Sequence, residues 1–234
     1  MGEREHVGAS WDEEYRHGRY AGEPPIAWVD TILETLRAEP ALWPGPGLYV
    51  GCGNGRNYLP LVDGGADLDG IDLSQEAIAQ LARRRPALAS RLAGGDFRAL
   101  PADGGFAYLV AIQVFQHGDG AAVDAYFAHA AGLLRPGGLL FVRMNSVATE
   151  IDHRHTVVER DNREGLTVRY DEGPKQGLLI HFCSRADLLA RAGAAFDIVR
   201  EPHEAVMQRV APKTGCWVQW EAVWRRRAPA GLSR

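Results

Sequence analysis

Leu48-Tyr49-Val50-Gly51-Cys52-Gly53-Asn54-Gly55-Arg56-Asn57 is an apolar run that ends in a loop with glycine at every second position. Such glycines take positive φ at no steric cost and let backbone N–H groups approach a bound molecule closely. A strand that finishes this way fits an open parallel sheet, in which ligands lie beyond the carboxyl ends of the strands. The spacing is G-x-G-x-G. A dinucleotide site uses G-x-G-x-x-G, and Arg56 stands where its third glycine would be, which argues against a pyrophosphate packed on the helix start and against a nicotinamide dehydrogenase.

A second apolar run, Leu68-Asp69-Gly70-Ile71-Asp72, closes on an acid about 20 residues beyond Gly51. In a βαβ unit the end of the second strand lies beside the glycine loop. There the Asp72 carboxylate can accept hydrogen bonds from the two hydroxyls of a nucleoside's ribose. The competing role, capping the helix that starts near Ser74, explains less of the pattern.

With these residues the chain resembles the class I S-adenosylmethionine-dependent methyltransferases, in their glycine loop and second-strand acid. Two further stretches carry the resemblance. Gly95-Asp96-Phe97 with Leu100-Pro101 is similar to the family's third-strand segment, where the acid receives the adenine amino group and the next residue covers the ring. The run from Phe106 to His117 is similar to its fourth strand, and Leu133-Leu134-Arg135-Pro136-Gly137-Gly138 to the turn before its fifth. The likeness is good over 45–145 and holds only in outline elsewhere. It implies S-adenosyl-L-methionine as cofactor, met by Gly51, Cys52, Gly53, Asn54, Gly55, Asp72, Leu73, Asp96, Phe97, Gln113 and Tyr20. It also implies a Rossmann-like α/β three-layer sandwich with a mostly parallel seven-stranded sheet ending in an antiparallel hairpin.

Two positions depart from the family pattern. Tyr49 replaces the acid usual two residues before the first glycine, which answers the ammonium of the methionine portion. Ala107 replaces the aspartate usual after the aromatic of the fourth strand. Both are expected to remove negative charge near the cofactor, leaving the ammonium to backbone carbonyls and the Tyr49 hydroxyl. A binding module without turnover therefore stays open beside the enzyme.

Length and composition bound the rest. A chain of 234 residues with 46% hydrophobic and 24% charged residues is an ordinary globular protein. Its net charge of −4 does not favour a nucleic-acid partner, and Arg225-Arg226-Arg227 reads as a solvated strand end. The first twenty residues lack a secretory apolar run, and no segment approaches the roughly 20 apolar residues of a membrane span. Cys52, Cys183 and Cys216 are odd in number and widely spaced, as reduced thiols are. The expected location is cytoplasmic, as a monomer or homodimer.

One domain over 1–234 is expected. Residues 1–40 form a polar, aromatic-dotted lid and a first helix opened by Pro24-Pro25, with Ile26, Val29, Ile32, Leu33 and Leu36 at helical spacing. Residues 47–145 form the cofactor core, with strands near 47–51, 67–71, 91–94, 107–113 and 139–144 and helices near 55–63, 75–85 and 121–134. Pro60 sits awkwardly inside the first of these helices. Residues 146–183, dense in charge and histidine, form a substrate-facing insertion. Residues 184–227 supply a helix ended by Gly193 and two closing strands, the last with Val218, Trp220, Ala222 and Trp224 alternating. The tail from Ala228 to Arg234 is expected to fray.

Methyl transfer needs alignment and exclusion of water more than covalent help, and a base only when the nucleophile arrives protonated. His117, just after the fourth strand, is the candidate catalytic residue, to accept a proton or to orient a substrate oxygen. Gln113 ends the same strand, where a polar side chain suits a ligand better than a core. Trp11, Tyr15 and Tyr20 offer aromatic faces suited to a sulfonium or an adenine. Tyr15, His153 and His155 are the candidate substrate contacts. His153 and His155 lack recognisable further metal ligands, so no metal is expected. Trp217, Trp220 and Trp224 read as core. The function expected is methylation of a small-molecule nucleophile, the alternatives being a tRNA-modifying member of the same family and a non-catalytic S-adenosylmethionine-binding module.

Overall fold

Leu48, Tyr49 and Val50 are buried on both faces of their strand, the pattern of the inside of a parallel sheet. The computed structural model describes residues 3–193, 195–211 and 213–228, so the expected fraying of 229–234 lies outside the described residues. Five strands cover the cofactor core: β1 (Gly47–Val50), β2 (Leu68–Asp72), β3 (Leu92–Gly94), β4 (Phe106–Ile112) and β5 (Leu134–Asn145). The insertion contributes β6 (His155–Arg160), β7 (Leu166–Tyr170) and β8 (Leu179–Phe182), and the chain closes with β9 (Phe196–Gln208) and β10 (Cys216–Arg226). One sheet runs β3-β2-β1-β4-β5-β10-β9. Its first five strands are parallel, and β10 pairs antiparallel with both β5 and β9, as the resemblance implied. The second sheet, β6-β7-β8, is antiparallel and was not anticipated as a sheet, because exposed Val157 and Val158 alternate with charges too weakly to signal strands.

Among the described residues six α-helices accompany the strands: α1 (Glu3–Arg16), α2 (Trp28–Arg37), α3 (Tyr58–Asp63), α4 (Gln75–Arg84), α5 (Gly120–Leu133) and α6 (Arg185–Gly193). Alternation along the strands sorts the core into two layers. Leu48, Val50, Leu109 and Ala111 meet Val123, Phe127 and Ala130 of α5, while Tyr49, Val110 and Phe141 meet Val29, Ile32 and Leu36 of α2. Trp220 and Trp224 belong to the first layer, as their alternation indicated. α3 is shorter than expected, and its start explains Pro60: that residue is the third of the helix, where an N–H has no intrahelical partner to lose. Ser74 caps α4 by accepting from the Ala77 N–H. α1 was read only as a lid segment, since its polar sequence shows no apolar stripe. It is held from outside: Asp12 accepts from Ser74 Oγ at 2.6 Å and from the Glu76 N–H at 3.0 Å, adding a second acceptor at the start of α4.

Buried charge joins the small sheet to the helices. Arg191 of α6 donates to Asp187 at 3.0 Å, to Asp124 of α5 at 2.7 Å and to the Gly120 carbonyl at 2.6 Å. Asp187 also meets His181 of β8 at 2.8 Å; the other imidazole nitrogen meets Thr167 of β7, and Thr167 donates to Glu159 of β6. Burial pushes the Asp187 carboxyl up, but hydrogen bonds from His181 and Arg191 outweigh it and hold the group well below the usual carboxylate range. A depressed carboxyl contributes stability that is present above its unfolded-state pKa and is lost as pH falls through the folded value. Removing one partner of a buried pair strands the other, so Arg191→Met should lower the urea-measured unfolding free energy by about 3–5 kcal/mol and flatten its decline in acid. Asp124→Asn, at a side chain 55% exposed, should change it by less than about 1 kcal/mol.

Candidate functional site

Strand order reverses between β1 and β4, so the loops leaving their carboxyl ends part and open a crevice. A cavity of about 340 Å³ occupies it. Its floor is the glycine loop with Tyr49 and Val50, one wall is Ile71–Leu73 with Gly95–Arg98, and the opposite wall is Ile112–Val114 with His117–Asp119. α1 and the turn after it roof it with Trp11, Tyr15 and Tyr20, and the start of β8 closes the rim with Gly177, Leu178 and Leu179.

Gly51, Gly53 and Gly55 all take positive φ, as their spacing required. At Gly53 the need is doubled: a Cβ would lie 2.4 Å from the Tyr15 hydroxyl, so the roof can settle on the loop only over bare backbone. The Gly53 N–H donates to Asp72 Oδ2 at 2.7 Å and the Ser74 N–H to Oδ1 at 2.8 Å. These bonds leave lone-pair positions on both oxygens. Burial pushes the Asp72 carboxyl up to about 6, against the two N–H groups, which pull it down. Further along the same wall, Asp96 receives the Arg98 guanidinium at 2.7 Å, and buried Phe97 stacks on Phe115 with ring centres 5.6 Å apart.

On the opposite wall Gln113 adopts φ +62, and its amide donates to Gln219 of β10 at 3.0 Å. Tyr20 is also left-handed, at φ +59, with the guanidinium groups of Arg19 and Arg56 over its ring at 4.7 and 5.2 Å. Two non-glycine residues in this region line one cavity, the kind of place where backbone strain concentrates. His117 is fixed through its backbone, which bridges to Ile180, and through its carbonyl, which accepts from Tyr126. Its ring meets Trp11 edge-on at 5.5 Å, and its buried Nδ1 has no hydrogen-bond partner among the described residues. Burial, then the charge of Lys175, lowers its pKa to about 3, so the imidazole is neutral at physiological pH.

The cavity brings together Gly51, Cys52, Gly53, Asn54, Asp72, Leu73, Asp96, Phe97, Gln113, His117, Tyr15 and Tyr20. Three expected residues stand outside its lining. Gly55 lies under the loop, where a Cβ would strike Leu81 and Leu59, so packing as well as positive φ requires a glycine there. His153, in the bend before β6, packs on Tyr170, and His155, at the start of β6, bonds back to the His153 carbonyl, both outside the lining. Ala107 corrects a further expectation. It is wholly buried at the amino end of β4, outside the lining, so its lack of charge does not bear on the cavity directly. The reading of the sequence missed Arg56, Arg98 and Tyr126 as lining residues. Arg98 lies two residues beyond Asp96, which was a usable signal; Tyr126 reaches the cavity from mid-helix, which only the packing of α5 reveals. Among the described residues, the grouping of metal-capable side chains found is His181, Cys183 and Asp187, which Arg191 already engages outside the cavity lining.

Residues 48–138 match the family model described as "Methyltransferase domain". No curated protein matches the chain. Among solved structures, the chain is similar to the 1,6-didemethyltoxoflavin-N1-methyltransferase of Burkholderia thailandensis, whose structure holds 1,6-didemethyltoxoflavin and S-adenosylhomocysteine. The identity is 18% and the TM-score 0.62, over 97% of this chain and 92% of that one. It is likewise similar to the magnesium protoporphyrin IX methyltransferase of Synechocystis PCC 6803 with bound S-adenosylmethionine, at 16% identity and TM-score 0.64, over 97% and 98% of the two chains. The (4+2)-cyclase SpnF matches at 17% identity and TM-score 0.64, over 98% of each chain. At such identities the structural likeness establishes the fold, and the family match over the glycine loop and the next three strands adds the domain's identity. Residues 48–138 are thus similar to a methyltransferase domain, and the chain as a whole shares the fold of these solved structures.

Proposed function

We propose that this protein transfers a methyl group to a small-molecule nucleophile bound against His117. The observation that carries this reading is one cavity lined both by the glycine loop with Asp72 and by the neutral His117, whose Nδ1 has no partner among the described residues. S-adenosylmethionine, when bound, supplies an electrophilic methyl group on a sulfonium. Asp72 accepts the ribose hydroxyls on its remaining lone pairs, while Asp96 and Phe97 serve the adenine side. His117, with its pKa near 3, is a poor proton acceptor at neutral pH, since efficient bases titrate near the working pH. It acts instead by hydrogen-bonding the nucleophile and fixing its line of approach. Trp11, Tyr15 and Tyr20 keep water from the reacting centre. The small-molecule assignment rests on the acidic chain and on a cavity of about 340 Å³, and it fits the toxoflavin-type substrate of one structural relative. A reading without methyl transfer is favoured by Tyr49 and by the cyclase that shares the fold.

Incubation with S-adenosylmethionine and pooled metabolites separates the two. Release of S-adenosylhomocysteine supports transfer, and binding without release across broad pools supports the other reading. Asp72→Ala should weaken S-adenosylhomocysteine binding by about 1.5–3 kcal/mol, the range for hydrogen bonds to a charged group. Protonation of Asp72 competes with the hydroxyls, so calorimetry on the native protein should show affinity steady above neutrality and falling as pH drops through about 6. That acid limb should be missing in Asp72→Ala. His117→Ala should lower turnover and leave cofactor affinity intact, whereas equal loss of both would mark a structural histidine. Gly53→Ala should cost about 1–3 kcal/mol by crowding Tyr15, and less in a Tyr15→Phe background, where the clashing hydroxyl is gone.

A further inference from the structure

We infer that the methyl acceptor is a flat aromatic compound with one N–H or O–H donor on its rim, and that sugars and peptides are rejected by the same wall. This rests on the methyl-transfer reading and names the class of its substrate. With the glycine loop, Asp72, Asp96 and Phe97 given to the cofactor, the cavity that remains lies between α1, the start of α5 and the start of β8. Trp11, Ala122, Tyr126, Leu178 and Leu179 line it around His117. Backbone polarity at this end is already spent: the Gly118 N–H donates to the Leu179 carbonyl at 2.9 Å, and the Gly177 N–H to the Tyr170 carbonyl at 2.8 Å. The Tyr126 hydroxyl donates to the His117 carbonyl at 2.8 Å, and Asp119, which is exposed, gives one oxygen to the Ala122 N–H. A molecule with many hydroxyls or amides would leave most of them unpaired against such a wall, which costs affinity.

A ring meets the opposite situation. Trp11 stands at 89° to the imidazole with ring centres 5.5 Å apart, and Tyr126 lies on Phe115 at 5.5 Å and 27°. A flat molecule laid along the indole stands crosswise to His117 and gains the aromatic contacts that a saturated one of equal size forgoes. His117 then supplies the polar contact. It is half-buried and Nδ1 is its closed-off nitrogen, so the ring meets the cavity by its Nε2 edge. Burial and then the charge of Lys175 keep the ring neutral, so one nitrogen carries a lone pair, while the Gln113 carbonyl acts on the ring to hold its remaining proton. With that proton on Nδ1, Nε2 accepts. A nucleophile that donates to Nε2 keeps its own lone pair for the methyl group, whereas one that accepted from the ring would spend it.

The test is equilibrium dialysis of the full chain, saturated with S-adenosylhomocysteine, against α-naphthol, its methyl ether, its saturated counterpart decalinol, and methyl glucoside. α-Naphthol should bind at least about fivefold more tightly than decalinol, the scale of one aromatic pair, and at least about fivefold more tightly than the ether, which cannot donate. His117→Ala should bring α-naphthol and the ether within about twofold and keep the preference over decalinol, and Trp11→Leu should do the reverse. The ratios on the native protein decide the outcome even where a variant fails to fold. The inference is overturned if decalinol, the ether or methyl glucoside binds as tightly as α-naphthol, or if α-naphthol does not bind. Release of S-adenosylhomocysteine with metabolite pools reads methyl transfer separately, so an acceptor of another class would overturn the inference and leave transfer standing. Failure of S-adenosylhomocysteine to bind the folded native protein would overturn the cofactor reading and the inference with it.

Discussion

The carboxylate of Asp72 is the joint on which the site turns. It takes one N–H from the glycine loop and one from the start of α4, so the ends of β1 and β2 and the head of a helix share a single acceptor. Both bonds are charge-assisted and buried, which makes them strong relative to ordinary amide bonds. The same burial leaves the carboxylate short of solvation, and that is why its pKa rises although two donors point at it. A ligand hydroxyl brought to this group adds a donor where burial has removed solvation. The loop conformation and the ligand site are therefore one structure.

α1 extends this joint outward. Asp12 reaches the same helix start from above, and Gln80 of α4 holds the Tyr15 carbonyl at 3.0 Å. The roof thus rests on the element that Asp72 organises. Its aromatic faces lie over backbone bare of Cβ atoms, which brings Tyr15 closer than any side chain on the loop would allow.

The sheet was legible because its strands announce themselves twice, as buried apolar runs and as runs that end in glycine or acid. Positive φ at Gly51 and Gly53 and the placing of Asp72 follow from local chemistry, and local chemistry is what a sequence shows. α1 was not legible: its helix is fixed by donors on another element, and its own sequence has no apolar stripe. The small sheet escaped for a related reason, since Thr167 and His181 look like loop polar residues until burial reveals them as partners. His153 and His155 drew notice by type and spacing, but one ring packs on Tyr170 and the other bonds back to the chain. Ala107 misled in the opposite sense, because family position was taken for nearness, and the amino end of β4 is the wrong end of the sheet.

The polar network under the insertion has a consequence for how this scaffold diverges. Glu159, Thr167 and His181 each sit on a different strand of the small sheet; Glu159 and His181 plug into a socket made by Gly120, Asp187 and Arg191 of the main body, and Thr167 links the two. Strand edges and turns outside that plug, including the segment around Lys175 that overlooks the cavity rim, carry none of those fastenings. Such a design behaves as an exchangeable cassette. New rim sequences can be tried by drift or by grafting without loosening the mount, provided the plug residues travel together with their socket.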